Sequence, residues 1–174
     1  IYGNREGELM SWGNKLETPT NYDPSDFFNT GVTELNGFTM TTGTEKNQTY
    51  ASISTTNSTG ILPNNAYNRY NFSLRNTAKF CNDKLTLDLG AQYIIQNNKN
   101  MVGSGQYFNP LVSLYLFPRG ENFQEVQMYE RYSESRNIMT QYWPTAIFGT
   151  DLDMQNPYWI MNRMQNRMSK RRYM

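Results

Sequence analysis

The side chains able to do chemistry are few, and their types set narrow limits. The 174-residue chain has no histidine, which removes the commonest general base and metal ligand. Its single cysteine, Cys81, has no partner for an internal disulfide. Without histidine, neither a Ser-His nor a Cys-His nucleophile can be assembled within the chain. Asp151 and Asp153 could bind calcium, but no EF-hand spacing follows them, so a solvated acidic turn is the better reading. A carboxylate pair for glycoside hydrolysis cannot be placed from spacing alone. The chain is expected not to be an enzyme and to need no cofactor or metal.

What remains is recognition. Tyr107, Phe108, Tyr115, Tyr142 and Trp143 crowd one long polar stretch. Exposed aromatics on loops stack on sugars or anchor partners, whereas in the plainer alternative they pack the stretch against itself. The 16 basic and 15 acidic residues nearly cancel, and Lys170-Arg171-Arg172 is too short a run to make a phosphate-neutralising stripe. Nucleic acid is therefore not an expected partner.

The elements that must position these groups are strands. Only 37% of residues are hydrophobic, yet 13 are tyrosine, a composition too aromatic for disorder and suited to β-structure with one wetted face. From Leu85 the positions Leu85, Leu87, Leu89, Ala91, Tyr93 and Ile95 alternate with Thr86, Asp88, Gly90, Gln92, Ile94 and Gln96. Tyr70, Phe72 and Leu74 alternate in the same way with Asn71, Ser73 and Arg75. A polar turn over Phe80 to Asp83, with Lys79 opposite Lys84, would set Leu74 against Leu89, Phe72 against Ala91 and Tyr70 against Tyr93, all on one face. An earlier hairpin, Val32 to Thr42 and Gln48 to Thr56, turns at Thr44 to Asn47; pairing Gly43 with Gln48 sets Met40 against Ala51 and Phe38 against Ile53.

The connections are short at 44–47, intermediate at 57–66, short at 80–83 and very long after Asn97. Short turns at one end and long loops at the other form the pattern of outer-membrane barrels. The chain then divides into residues 1–30 leading into the strands, 31–96 holding two hairpins, a long loop over 97–156, and the start of a further strand in 157–174. The loop is expected to be compact and without strands. Within it Asn109-Pro110 and Pro118 bracket Leu111 to Phe117, which suits a short helix as well as it suits a buried strand.

Several motifs, in order, resemble the early barrel of the SusC/RagA-like, TonB-dependent outer-membrane transporters. They are Ser11-Trp12-Gly13, Asp26-Phe27-Phe28-Asn29-Thr30-Gly31, Gly43-Thr44-Glu45-Lys46, Gly60-Ile61-Leu62-Pro63-Asn64-Asn65 before Tyr67-Asn68-Arg69-Tyr70-Asn71, then Asn109-Pro110-Leu111 and Asn156-Pro157-Tyr158-Trp159. The resemblance implies an all-β fold, a transmembrane barrel of about 22 antiparallel strands with an N-terminal plug. This chain would hold about four of those strands and one long extracellular loop. It implies a bacterial outer-membrane location and import of glycans or peptides. The implied partners are a SusD-like surface lipoprotein, TonB reached through other parts of the protein, and outer-membrane lipid.

In such a barrel Asn71, Ser73, Arg75, Asp88 and Gln92 would face the lumen, and Tyr70 with Tyr93 would join an interfacial aromatic girdle. The competing reading is a secreted β-sandwich that binds glycan. The two differ in the fate of the apolar face: under a second sheet in the sandwich, bare of protein in the barrel.

Overall fold

The computed structural model describes residues 23–101, 105, 107–117, 122–143 and 155–174. Ser11-Trp12-Gly13, Asp151 and Asp153 lie outside the described residues, as does most of 1–30. The fold is mainly antiparallel β-sheet with two short helices. Strands β1 (Val32–Gly43), β2 (Asn47–Thr59), β3 (Ala66–Phe80) and β4 (Leu85–Met101) form a meander, and β7 (Gln165–Tyr173) joins β4 at the far side. Between β4 and β7 come α1 (Pro110–Leu116), a small hairpin of β5 (Glu130–Ser133) and β6 (Ile138–Gln141), and α2 (Pro157–Arg163).

The first hairpin takes the register that its turn implies, with Gly43↔Gln48, Met40↔Ala51 and Phe38↔Ile53. Gly43 is obligatory there. Its φ is +157°, and a Cβ would lie 2.2 Å from the Asn47 carbonyl oxygen, so any side chain would force the turn open.

The second hairpin corrects the expected register by two residues. Phe80 pairs with Leu85 and Lys79 with Thr86, so Leu74 lies opposite Ala91, Phe72 opposite Tyr93 and Tyr70 opposite Ile95. Pairing Lys79 with Lys84 would have set like charges face to face, whereas Phe80 with Leu85 is a favourable apolar pair. The four-residue turn closes through left-handed residues at Cys81, Asn82 and Asp83, with φ of 58°, 56° and 64°; Asn and Asp tolerate that conformation well. A shift of two preserves every side chain's face. Leu74 and Leu89 thus share a face, as diagonal neighbours.

Two further expectations change. The sheet has five strands, because residues 157–174 contribute α2 first and then β7, which pairs with β4 from Tyr93↔Tyr173 to Met101↔Gln165. The long connection starts after Met101 rather than at Asn97 and holds the β5–β6 hairpin, so it is not free of strands. Leu111 to Leu116 is helical. Asn109 accepts a hydrogen bond from the Leu111 amide at 3.0 Å, and Pro110 occupies the first turn, an N-cap arrangement that decides for helix.

The core lies off the sheet. Phe27, Leu114, Phe117, Phe123, Val126 and Met161 are buried together, with Phe28, Leu62, Leu111, Trp143 and Tyr158 packed against them. These residues come from a 3₁₀ turn before β1, the β2–β3 loop, α1, a second 3₁₀ turn (Phe123–Gln127), the segment just after β6 and α2. All of them sit at the end of the sheet where β1 starts and β4 ends. They form a cap at that end, and the two tight turns mark the other.

Among the described residues nothing covers the sheet in this way. On one face Phe38, Met40, Ile53, Phe72, Leu74, Leu85, Leu87 and Leu89 are exposed, Phe38 by 65% and Leu89 by 59%. The opposite face is mostly polar, with Leu35, Tyr50 and Met168 exposed and Ile94 buried among its apolar exceptions.

Candidate functional site

Two places can act: the polar face of the sheet and the surface of the cap. Alternation along β3 and β4 puts Asn71, Ser73, Arg75, Asp88 and Gln92 on one face, with Ser73 directly opposite Gln92. Arg75 and Asp88 are diagonal neighbours. Arg75 Nε donates to both carboxylate oxygens at 2.9 and 3.2 Å, its Nη2 donates to Oδ2, and Thr77 adds a hydroxyl at 3.3 Å. Both side chains are well exposed, so the pair is screened by water and fixes geometry rather than stability. Asn71 donates to Ser54 Oγ at 3.0 Å and accepts from Arg69 Nε at 3.0 Å. The result is a lawn of amides, hydroxyls and one ion pair, suited to lining a wet passage.

The five loop aromatics do not act as one group. Trp143 is half-buried against the cap core, as the packing alternative has it. Tyr142 is half-buried, with the Arg131 guanidinium 3.5 Å from its ring centroid, a cation–π contact. Tyr107, Phe108 and Tyr115 remain exposed by 49%, 44% and 63%. Tyr115 follows the buried Leu114 on α1 and so falls on the outward side of that helix. Arg131 and Tyr142 also border a shallow depression with Gln124, Glu125, Gln127 and Met128.

Three residues that spacing did not single out hold this surface together. Asn156 is fully buried. Its amide nitrogen donates to the carbonyls of Val126 and Tyr142, each at 3.0 Å, while its Oδ1 accepts from the Tyr158 and Trp159 amides. Every hydrogen-bonding site of the side-chain amide is used. Glu130 receives a two-pronged contact from Arg163 at 2.8 and 2.9 Å, which ties β5 to α2. That bond, and then the neighbouring negative charge, raise the Arg163 pKa above its ordinary value. Burial raises the Tyr158 phenol likewise, opposed by a hydrogen bond with Gln127. Asn64, left-handed at φ 63°, donates to the Met161 carbonyl at 3.2 Å and to Asn162 at 2.9 Å, clamping the β2–β3 loop to α2. Asn before Pro at a helix start was the available signal for Asn156.

Among the described residues no three His, Cys, Asp or Glu side chains are grouped to hold a metal ion, and no helix is long and apolar enough to cross a membrane. No protein-family model matches the chain, and no curated protein matches it.

Proposed function

We propose that this chain forms part of the wall and outer cap of a bacterial outer-membrane β-barrel, an importer of the SusC/RagA-like, TonB-dependent kind. One observation carries the reading: the apolar face of the sheet is bare, from Phe38 on β1 to Leu89 on β4. A contiguous apolar face of this extent marks contact with an apolar phase or a partner. The run from Leu85 to Ile95, at about 3.3 Å per residue and a tilt of about 45°, stands about 23 Å tall, close to the apolar band of about 25 Å on membrane barrels.

The order of layers on that face agrees. Nearest the cap the row is Val32, Thr59, Ala66, Lys99 and Arg167; next comes a polar row of Glu34, Asn57, Asn68, Asn97 and Ser169, then a mixed row of Asn36, Thr55, Tyr70, Ile95 and Arg171, then Phe38, Ile53, Phe72, Tyr93 and Tyr173, then Met40, Ala51, Leu74 and Ala91. Phe72, Tyr93 and Tyr173 stack in line at centroid distances of 6.3 and 4.7 Å. An aromatic layer between polar and aliphatic ones is the signature of a membrane interface. The apolar set stops at Met40 on β1 but runs on to Phe80 and Leu85 on β3 and β4, so it crosses the strands obliquely, as strand tilt in a barrel requires. A sandwich would need a second sheet over this face, and among the described residues none covers it.

In this reading the polar face borders the lumen and the cap lies outside, since the tight turns of such barrels are periplasmic. The partners are a SusD-like lipoprotein lid over the cap, TonB contacted by other parts of the protein, and a glycan or peptide as cargo. Tyr107, Phe108 and Tyr115 are the groups free to meet lid or cargo. Replacing all three with alanine in the full-length importer should weaken lipoprotein co-purification or cargo uptake at least tenfold, since buried interface aromatics cost more than about 1 kcal/mol each. Unchanged capture and unchanged uptake from a correctly inserted barrel would leave the cap a purely structural cover.

A further inference from the structure

The rows of the bare face nearest the cap hold a cluster of positive charge that the importer reading does not use. Lys99 on β4 lies directly opposite Arg167 on β7, and two rows nearer the apolar layer Arg171 lies opposite Ile95. Between them lie the uncharged Asn68, Asn97 and Ser169. Asn68, Asn97, Lys99, Arg167 and Ser169, with Ala66, Asn98 and Met168, line a depression of about 460 Å³, and Arg171 stands beside it.

Like charges directly opposite on one face of a sheet destabilise it unless something neutralises them. Among the described residues no carboxylate does so. The ion pairs among the described residues join Arg75 to Asp88 and Arg163 to Glu130, and the carboxylate that the described strands place on this face is Glu34, three strands away on β1. Strand β7, QNRMSKRRY, contains no acidic residue at all.

We infer that Lys99, Arg167 and Arg171, with Asn68, Asn97 and Ser169 between them, form a binding site for the phosphate of a lipid headgroup at the capped end of the sheet. The inference rests on the membrane reading of the bare face. Phosphate suits the site because three cations bracket neutral amide and hydroxyl donors, and guanidinium groups offer forked hydrogen bonds to its several oxygens. Lipid suits it because the cluster adjoins the tyrosine-rich layer, where headgroups sit. Acyl chains would then continue over Ile95, Phe72 and Leu74. Clusters of basic side chains at such a boundary hold anionic headgroups, each cation contributing about 1 kcal/mol, or about 5-fold in affinity.

The test uses the full-length barrel in phosphatidylcholine vesicles carrying a minor fraction of bisphosphorylated lipid A, or of the same lipid with its phosphates removed. Lipid kept by the protein after mild extraction is counted by native mass spectrometry. The unaltered barrel should keep the phosphorylated lipid in preference to the dephosphorylated one. The double variant Lys99→Gln, Arg167→Gln should lose it on the order of 25-fold by the per-charge figure above. Lys170→Gln with Arg172→Gln removes the same charge from the opposite face and should change nothing. Equal retention of the two lipids, or equal losses in both double variants, would overturn the site. Stabilisation of the detergent-solubilised barrel by inorganic phosphate, without any preference among lipids, would make it a site for free phosphate and overturn the headgroup assignment. Failure of the unaltered protein to insert would overturn the membrane reading itself, and the site with it.

Discussion

Replacing Leu89 with arginine is expected to cost the inserted barrel about 2–4 kcal/mol, the range for a cation near the midplane of the lipid-facing surface. Leu89 is 59% exposed and lies opposite Asn76, below the aromatic layer of Phe72 and Tyr93 and above Leu87 and Leu85. That places it well inside the proposed apolar band. Gln92→Arg is the matched control, because position 92 faces the polar side opposite Ser73, where a cation stays in water. Reversible denaturant unfolding of the barrel in vesicles measures both. In a water-soluble sheet two exposed substitutions would each move stability by about 0.5 kcal/mol or less, so similar small costs at 89 and 92 would rule out a lipid-facing Leu89.

The second large effect belongs to the cap. Asn156→Leu should destabilise it by about 3 kcal/mol or more. Loss of the N-cap of α2 costs about 1 kcal/mol. The carbonyls of Val126 and Tyr142 then lose their buried donor, at about 1–3 kcal/mol for an unsatisfied buried group. Asn64→Ala also removes bonds to α2, but from a partly exposed amide, and should cost about 1 kcal/mol or less. Hydrogen exchange resolves the two units: amides of α2 and of β5–β6 should lose protection in Asn156→Leu while those of β2 and β3 keep theirs. Uniform loss across sheet and cap would show that the two do not unfold separately.

How much of this could be read in advance depended on the size of the local signal. The alternation of Leu85 to Ile95 with its polar partners fixed which side chains share a face, because a period of two is insensitive to shifts of two. The same insensitivity leaves the β3–β4 register to the turn alone, and Cys81-Asn82-Asp83 does not resemble a common two-residue hairpin turn. Strand β7 carries no apolar alternation, and it pairs because the cap end of β4 offers it an open edge. Strands β5 and β6, four residues each, are too short for periodicity to register. Among the loop aromatics, sequence could not separate the packed Trp143 from the exposed Tyr115, since that division is made by the fold of the cap. The polar set from Asn71 to Gln92 was legible as a face, but its Arg75–Asp88 pairing is diagonal and required the true register.

Site-directed spin labelling reports whether the bare face meets lipid. In a Cys81→Ser background of the full-length protein in vesicles, single cysteines are placed at Leu74, Leu87 and Leu89 on one face and at Ser73, Asp88 and Gln92 on the other. Nitroxides on the first set should collide readily with oxygen, which concentrates in the bilayer, and those on the second with a water-soluble nickel chelate, in strict alternation along β4. Labels at Leu74, Leu87 and Leu89 that are shielded from both reagents, or that favour the nickel chelate, would contradict the account and place this sheet in a water-soluble fold.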